Sequence, residues 1–342
     1  MLKSILLIVI GFILLVKGAD FFVDGSSDVA RKLRIPELVI GLTIVAFGTS
    51  MPEAAVSLTA AFKGNADISI GNVVGSNILN VLIILGITSV ITPINIPFST
   101  IKYEIPFCTL ITVLLYVLGL NGKLGIYDGL ILWVCFIAYF VYLFKMSKNN
   151  NENLKEDREN AKEKHIEDYI EKNKEIDKDN NKDKDKDKDK DKEKNRSLWL
   201  CFILIAAGLA GVVLGSDFAV DGATGIAKSI GLSDRFIGLT IVALGTSLPE
   251  LVTSFVAARK GNPDIAIGNI VGSNIFNILF ILGTTSIITV INFASNFLLD
   301  TLIAVLTMVL LWICCFKNRK LTRIGGVILL MAYALYFAIF LI

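Results

Sequence analysis

A block of 46 residues occurs twice in this chain, and that duplication limits the possible folds more than any other feature. Residues 41–86 read GLTIVAFGTSMPEAAVSLTAAFKGNADISIGNVVGSNILNVLIILG, and residues 238–283 read GLTIVALGTSLPELVTSFVAARKGNPDIAIGNIVGSNIFNILFILG, without a gap and at a constant offset of 197. Comparing 41–80 with 238–277, 28 of 40 positions are identical. The register persists upstream: Gly18, Asp20, Val23, Asp24 and Gly25 recur as Gly215, Asp217, Val220, Asp221 and Gly222, while Phe22 meets Ala219. A chain duplicated this closely is built as two like halves.

Composition says what kind of halves they are. Hydrophobic residues make up 54% of the chain, yet 19% are charged. The conflict resolves by position, because residues 145–196 carry 34 of the 64 charged side chains. The remainder is strongly apolar, with runs at 5–15, 106–120, 130–144, 198–214, 297–316 and 326–342 in stretches long enough to approach or cross a hydrocarbon layer of about 30 Å. The fold class expected is an all-α polytopic membrane protein.

Helices are predicted at 4–22, 37–61, 68–91, 101–120 and 124–145, then at 198–219, 235–258, 265–289, 295–316 and 324–341. This gives a five-helix repeat in 1–145, a charged linker in 146–197 and a second five-helix repeat in 198–342. Because five is odd, equivalent helices would cross in opposite directions, so the two repeats are expected to be inverted, an architecture common in secondary transporters. Lys and Arg in the connections set the orientation: ten fall on the linker's side and five on the other, which predicts the amino terminus outside and the linker cytoplasmic in a cell membrane. The run from Ile5 to Val16 continues without a small-residue cleavage site, so no removable signal is expected.

The linker has no Gly or Pro and ends in KDKDKDKDKDK, so it cannot bury a core and is expected to be disordered or loosely helical. Asp183, Asp185, Asp187 and Asp189 imitate the opening of a calcium loop, but the turning glycine is missing and a Lys stands beside each acid. No calcium site is expected there. The single His165 lies in the same solvated stretch.

The apolar repeats hold polar residues that hydrocarbon should reject. Thr49, Glu53 and Ser57 are spaced by four, as are Thr246, Glu250 and Ser254, so each set lies on one helix face. The next helix of each half repeats the device with Asn72, Ser76 and Asn80, and with Asn269, Ser273 and Asn277. A carboxylate at membrane depth is costly and normally faces a partner or a water-filled cavity, so Glu53 and Glu250 are the first candidates for binding a cation. Pro52 and Pro249 remove a backbone donor and are expected to free the carbonyls of Gly48 and Gly245 toward a cavity. An all-oxygen set without thiolate or imidazole suits a hard cation such as calcium. The small residues of G-N-x-V-G-S-N read equally well as helix-packing surfaces. Asp20, Asp24, Asp217 and Asp221 fall at predicted span ends, where interfacial or capping roles are expected, and the five cysteines read as small hydrophobes.

G-T-S-[ML]-P-E followed by G-N-[VI]-V-G-S-N-[IF]-x-N, present twice in a five-plus-five chain, resembles the sodium/calcium exchanger family of the cation/calcium exchanger superfamily, prokaryotic or archaeal type. The likeness covers nearly all of the chain outside the linker. It implies a secondary antiporter in which Glu53 and Glu250 bind Ca²⁺ and Na⁺ in alternation. Thr49, Ser50, Ser76, Thr246, Ser247, Ser273 and the carbonyls of Ala46 and Ala243 would complete the sodium sites, with Asn80 and Asn277 flanking the centre. Proton-coupled members of the superfamily typically carry G-N-A-x-E where this chain has G-T-S-x-P-E, which favours Na⁺ as the coupling ion. Some relatives, potassium-dependent ones among them, place an acid where Asn277 stands; two Asn leave the site with the charge of two glutamates.

Two carboxylates neutralise one Ca²⁺ and hold two Na⁺ neutrally or a third with net positive charge, so competition for them would couple the ions. Exchange of more than two Na⁺ per Ca²⁺ would be electrogenic. The first and sixth spans, less polar at mid-depth, are expected to slide across the other eight. A proton/calcium exchanger and a cation channel are the alternatives. An enzyme is not expected, since the spans contain no His and no HExxH. Nor is a cofactor or a nucleic-acid partner; the partners implied are the two transported ions and the bilayer.

Overall fold

The computed structural model describes residues 2–148, 197–230 and 243–341. The linker and the first part of the span predicted at 235–258 lie outside these described residues. The first half comprises α1 (Leu2–Leu33), α2 (Glu37–Thr49), α3 (Met51–Phe62), α4 (Asp67–Ile91), α5 (Thr100–Gly119) and α6 (Ile126–Lys148). The second comprises α7 (Leu198–Ser229), α8 (Ala243–Thr246), α9 (Leu248–Arg259), α10 (Pro263–Ile288), α11 (Ser295–Phe316) and α12 (Arg323–Ile339). Among the described residues seven helices are long and apolar enough to cross a membrane, or eight if the bent α2–α3 pair counts as one span. This is an all-helical polytopic membrane protein.

Two short strand pairs fasten the connections. β1 (Ile94–Asn95) pairs antiparallel with β4 (Lys320–Leu321), and β2 (Lys123–Leu124) with β3 (Ile291–Asn292). At the offset of 197, β1 corresponds to β3 and β2 to β4. Each pair therefore joins the α4–α5 or α5–α6 connection of one half to the non-equivalent connection of the other.

Burial grades the helices from lipid to centre. In α10 the most apolar stretch is 94% buried, against 28% in α1, so α10 is central while α1 keeps a broad apolar face outward. The larger core is shared by α2 to α6 and α9 to α12, and an aromatic cluster of Phe47, Trp133, Phe136, Phe276 and Phe280 joins the halves within it. A smaller core holds Leu15, Phe22 and Val23 of α1 with Cys201, Val212 and Ala219 of α7 and the adjoining parts of α2, α9 and α10.

Helices α1 and α7 lie directly against each other because glycines recur every seven residues on both: Gly11, Gly18 and Gly25 on one, Gly208, Gly215 and Gly222 on the other. A Cβ at Gly208 would stand 2.4 Å from the backbone nitrogen of Phe22, and one at Gly18 would stand 2.6 Å from that of Val212. Backbones that close leave no room for any side chain, and such approach favours association where helices have no hydrophobic drive to pair.

Two sequence expectations change. Helices α1 and α7 run 32 residues each, so Asp20, Asp24, Asp217 and Asp221 stand inside helices rather than at helix caps. The break before each proline falls two residues beyond the glycine, at Ser50 (φ −83°, ψ 7°) and Ser247 (φ −89°, ψ 0°), and in the first half bends α3 by 49° from α2. The carbonyl of Gly245 accepts the Ser216 hydroxyl of α7 at 2.6 Å, where both residues line a cleft.

Candidate functional site

The bend at Ser50 and its counterpart at Ser247 turn the start of α3 and of α9 inward, which brings both glutamates to the centre. Glu53 and Glu250 are each 1% exposed. The Ser50 hydroxyl donates to Oε1 of Glu250 at 2.9 Å, a direct contact between the halves. Thr49 and Ser50 thus face Glu250, and Thr246 and Ser247 face Glu53. Thr49 also donates toward its own helix, to the Val45 carbonyl at 3.1 Å, and lies 3.0 Å from Oδ1 of Asn269. Among the described residues no Lys or Arg pairs with either glutamate.

Asparagines of α4 and α10 fix the glutamate-bearing helices. Asn72 donates to the Glu53 carbonyl at 3.1 Å and to Ser57 Oγ at 2.9 Å; Asn269 does the same to the Glu250 carbonyl at 3.4 Å and to Ser254 Oγ at 2.9 Å. The carboxylate stripe and the amide stripe seen in the sequence are therefore two sides of one contact in each half.

Further along α4 and α10 the α-helical ladder widens to π-helix over Asn80–Ile84 and Asn277–Leu282, at equivalent positions in the two halves. Such widenings are rare and cluster at functional sites. Helix α3 packs against the π-turn beginning at Asn277, and α9 against that beginning at Asn80. Asn77 and Asn274 exchange bonds across the interface, each amide donating to the other's carbonyl at 3.2 Å. Their side-chain oxygens accept from Asn277 and Asn80 at 3.0 Å. With both amide nitrogens of Asn80 and Asn277 so engaged, their Oδ1 atoms are left as acceptors without a donor.

Among the described residues, several buried oxygens here have no partner at full hydrogen-bonding geometry: both carboxylate oxygens of Glu53, which the Thr246 and Ser247 hydroxyls face, Oε2 of Glu250, Oδ1 of Asn80 and of Asn277, and the Ser247 hydroxyl. Buried acceptors are ordinarily satisfied, and each one left alone costs about 1–3 kcal/mol. Carboxylate, amide and hydroxyl oxygens contributed by both halves are the kind of ligand a hard cation coordinates.

The other expected residues sit close by. Ser76 and Ser273 are buried, and Ser273 Oγ lies 3.4 Å from the Ala46 carbonyl, which also accepts the backbone N–H of Ser50 at 3.1 Å. Ala243 begins α8. Asn77 and Asn274 had been read only as part of a packing motif; the signal for them was the second asparagine three residues before Asn80 and Asn277, on the same helix face. A third buried acid, Glu104 of α5, accepts the Tyr142 hydroxyl of α6. Residue 301, its repeat counterpart, is Thr, so this acid stands outside the duplicated site.

A cleft of about 590 Å³ leads toward the centre, lined by Met51, Pro52 and Ala55 of α3, Asp217 and Asp221 of α7, and Thr246 of α8.

Comparison with known proteins places this geometry. The sequence model of the sodium/calcium exchanger protein family matches residues 3–145 and 200–342. The sodium/calcium exchanger MaX1 of Methanosarcina acetivorans is 34% identical over 98% of both chains, and the inner membrane protein YrbG of Escherichia coli is 32% identical over 84% of this chain and 81% of its own. A solved structure of the sodium-calcium exchanger NCX_Mj soaked with 2.5 mM Na⁺ and 10 mM Sr²⁺ superimposes with a TM-score of 0.77 at 31% identity, covering 98% of each chain. With the duplicated motif, the match of both halves and the shared fold, this chain belongs to the sodium/calcium exchanger family.

Proposed function

We propose that this protein is an antiporter that exchanges Na⁺ for Ca²⁺ by alternating access, with Glu53 and Glu250 as the shared anionic ligands. The buried oxygens at the centre carry this reading. Two carboxylates balance one Ca²⁺, and the hydroxyls of Thr49, Ser50, Thr246, Ser247, Ser76 and Ser273, with the carbonyls of Ala46 and Ala243, supply neutral oxygens that suit Na⁺. Asn80 and Asn277 present oxygens to the same space, held there by Asn274 and Asn77. One ion type must leave before the other binds, and that competition converts a sodium gradient into calcium movement. MaX1 and NCX_Mj, both called sodium/calcium exchangers, support Na⁺ as the coupling ion.

The proposed architecture is ten spans in two inverted five-helix repeats. Its support is the crossed strand pairing. In repeats of the same sense, the α4–α5 and α11–α12 connections would lie on opposite membrane faces, yet β1 and β4 are hydrogen-bonded. With the amino terminus outside and the linker cytoplasmic, the cleft beside Asp217 and Asp221 opens outward. The tightly joined α1–α7 pair, with a core of its own, suits a unit that slides across the remaining helices.

Calcium uptake into proteoliposomes tests the coupling ion. An outward-directed Na⁺ gradient is expected to drive ⁴⁵Ca²⁺ uptake, and a pH gradient of equal size is not. Uptake driven by the pH gradient alone would identify a proton-coupled exchanger instead.

A further inference from the structure

The two halves repeat more than the ion site. After α3 the chain turns through Lys63, Gly64 and Asn65, and after α9 through Lys260, Gly261 and Asn262. Both turns have the same build: the glycine is left-handed (φ 78° and 81°), and the following Asn N–H reaches back to Ala60 at 2.8 Å or Ala257 at 2.9 Å. This is the Schellman end of a helix, which only glycine adopts without strain. It fixes the Lys and Asn that flank it at the end of the glutamate-bearing helix.

On one side these residues are engaged. Lys260 Nζ binds Asp24 Oδ1 at 2.8 Å and Asp20 Oδ1 at 3.1 Å, and donates to the Asp20 carbonyl at 3.1 Å. Asn262 Nδ2 donates to Ser27 Oγ at 2.8 Å. Four contacts tie α1 to the end of α9, and the two helices pack directly.

At the offset of 197 the partners are Lys63 with Asp217 and Asp221, and Asn65 with Thr224. All four kinds of side chain needed for the same contacts are present, Thr replacing Ser. None of these contacts is made. Among the described residues Lys63 is exposed without an ion pair, Asp217 and Asp221 line the cleft, and the buried Thr224 hydroxyl has no partner. Helix α7 stands off α3, and the cleft occupies the gap.

We propose that the two Lys-Gly-Asn turns are alternating latches: the turn after α9 holds α1 in the conformation described, and the turn after α3 captures α7 in the opposite one. The inference rests on the alternating-access reading above. Chemically it requires nothing new, because the second latch uses the same donors and acceptors as the first. Movement of the α1–α7 pair would break one set as it makes the other, so each state keeps one latch paired and leaves the charges of the other to water. Ions at the centre then bias an equilibrium between two states of similar latch energy.

The test is thiol labelling of Ala55→Cys, in the cleft wall, in full-length protein whose native cysteines are replaced, reconstituted in nanodiscs with and without Na⁺ and Ca²⁺. Lys63→Gln is expected to speed labelling, since the cleft can no longer be latched shut, and Lys260→Gln to slow it, each by about two- to fivefold for half-exposed ion pairs. The double variant should return toward the parent rate, and Lys260→Arg should match it. Independently, Lys63→Cys with Asp221→Cys should form a disulfide that arrests transport until reduced; this arm decides the matter if Lys260→Gln does not fold. Ion-sensitive labelling that neither Lys variant shifts, with no cross-link between 63 and 221, overturns the latches alone. Labelling insensitive to both ions would instead overturn the alternating-access reading.

Discussion

At the scale of single residues, the centre is defined by its buried oxygens. Glu53 and Glu250 were legible in the sequence because a duplicated acid in an apolar helix has few other uses. Asn77 and Asn274 were not, because an asparagine in a small-residue motif looks like packing until its hydrogen bonds are seen. Their role makes a specific prediction. Replacing Asn77 with Ala removes the acceptor that holds the amide of Asn277 at 3.0 Å and the donor to the Asn274 carbonyl. The buried groups left behind should lower stability by about 1–3 kcal/mol, read as a fall in melting temperature in detergent. Calcium affinity should fall as well, since Asn277 could then turn its nitrogen to the site. A variant that melts lower yet binds Ca²⁺ normally would make Asn77 a packing residue only.

At the scale of elements, the sequence pattern located the helices but missed their ends and widenings. The spans at 4–22 and 198–219 were drawn too short because hydropathy falls where Asp20, Asp24, Asp217 and Asp221 begin, although the helices run on to Leu33 and Ser229. The π-turns at Asn80 and Asn277 left no trace in the sequence pattern, since after each Asn the turn is apolar on every side (VLII and ILFIL) and a shift of face cannot be read. The glycine seams of α1 and α7 give the element-scale prediction. Gly208→Ala places a methyl group 2.4 Å from the Phe22 backbone nitrogen, where neither helix can yield, and should cost about 1–3 kcal/mol or force the pair apart. Gly71→Ala, whose added Cβ would meet only the Phe297 ring at 3.6 Å, should leave the melting temperature unchanged or slightly raised. Equal effects of the two substitutions would show that the seam is not tightly held.

At the scale of the molecule, parity and pairing point the same way. The sequence predicted inversion from an odd number of spans; the cross-linked loops supply independent support through hydrogen bonds that same-sense repeats could not make. In the alternating-access reading, two symmetrical halves would provide two conformations of similar energy, and the cleft on one side would be the asymmetry of the one described. On that reading a single sequence would not disclose which conformation is adopted, since the same residues would serve both. Charge movement is the property to measure here. With three Na⁺ exchanged per Ca²⁺, one net charge crosses per cycle, and the driving force should change by about 2.3 kcal/mol per 100 mV. Exchange in proteoliposomes clamped with K⁺ and valinomycin is expected to respond to the imposed potential; indifference to it would indicate two Na⁺ per Ca²⁺.

The central claim is that one pair of buried acids serves both ions, and Na⁺-dependent ⁴⁵Ca²⁺ exchange by the Glu53→Gln and Glu250→Gln variants beside the parent protein tests it most directly. Each substitution keeps the shape and removes one charge from a site that has two, so both should lower calcium affinity by about tenfold or more and abolish net exchange, while the protein remains folded. Exchange at the parent rate in both variants would contradict the account.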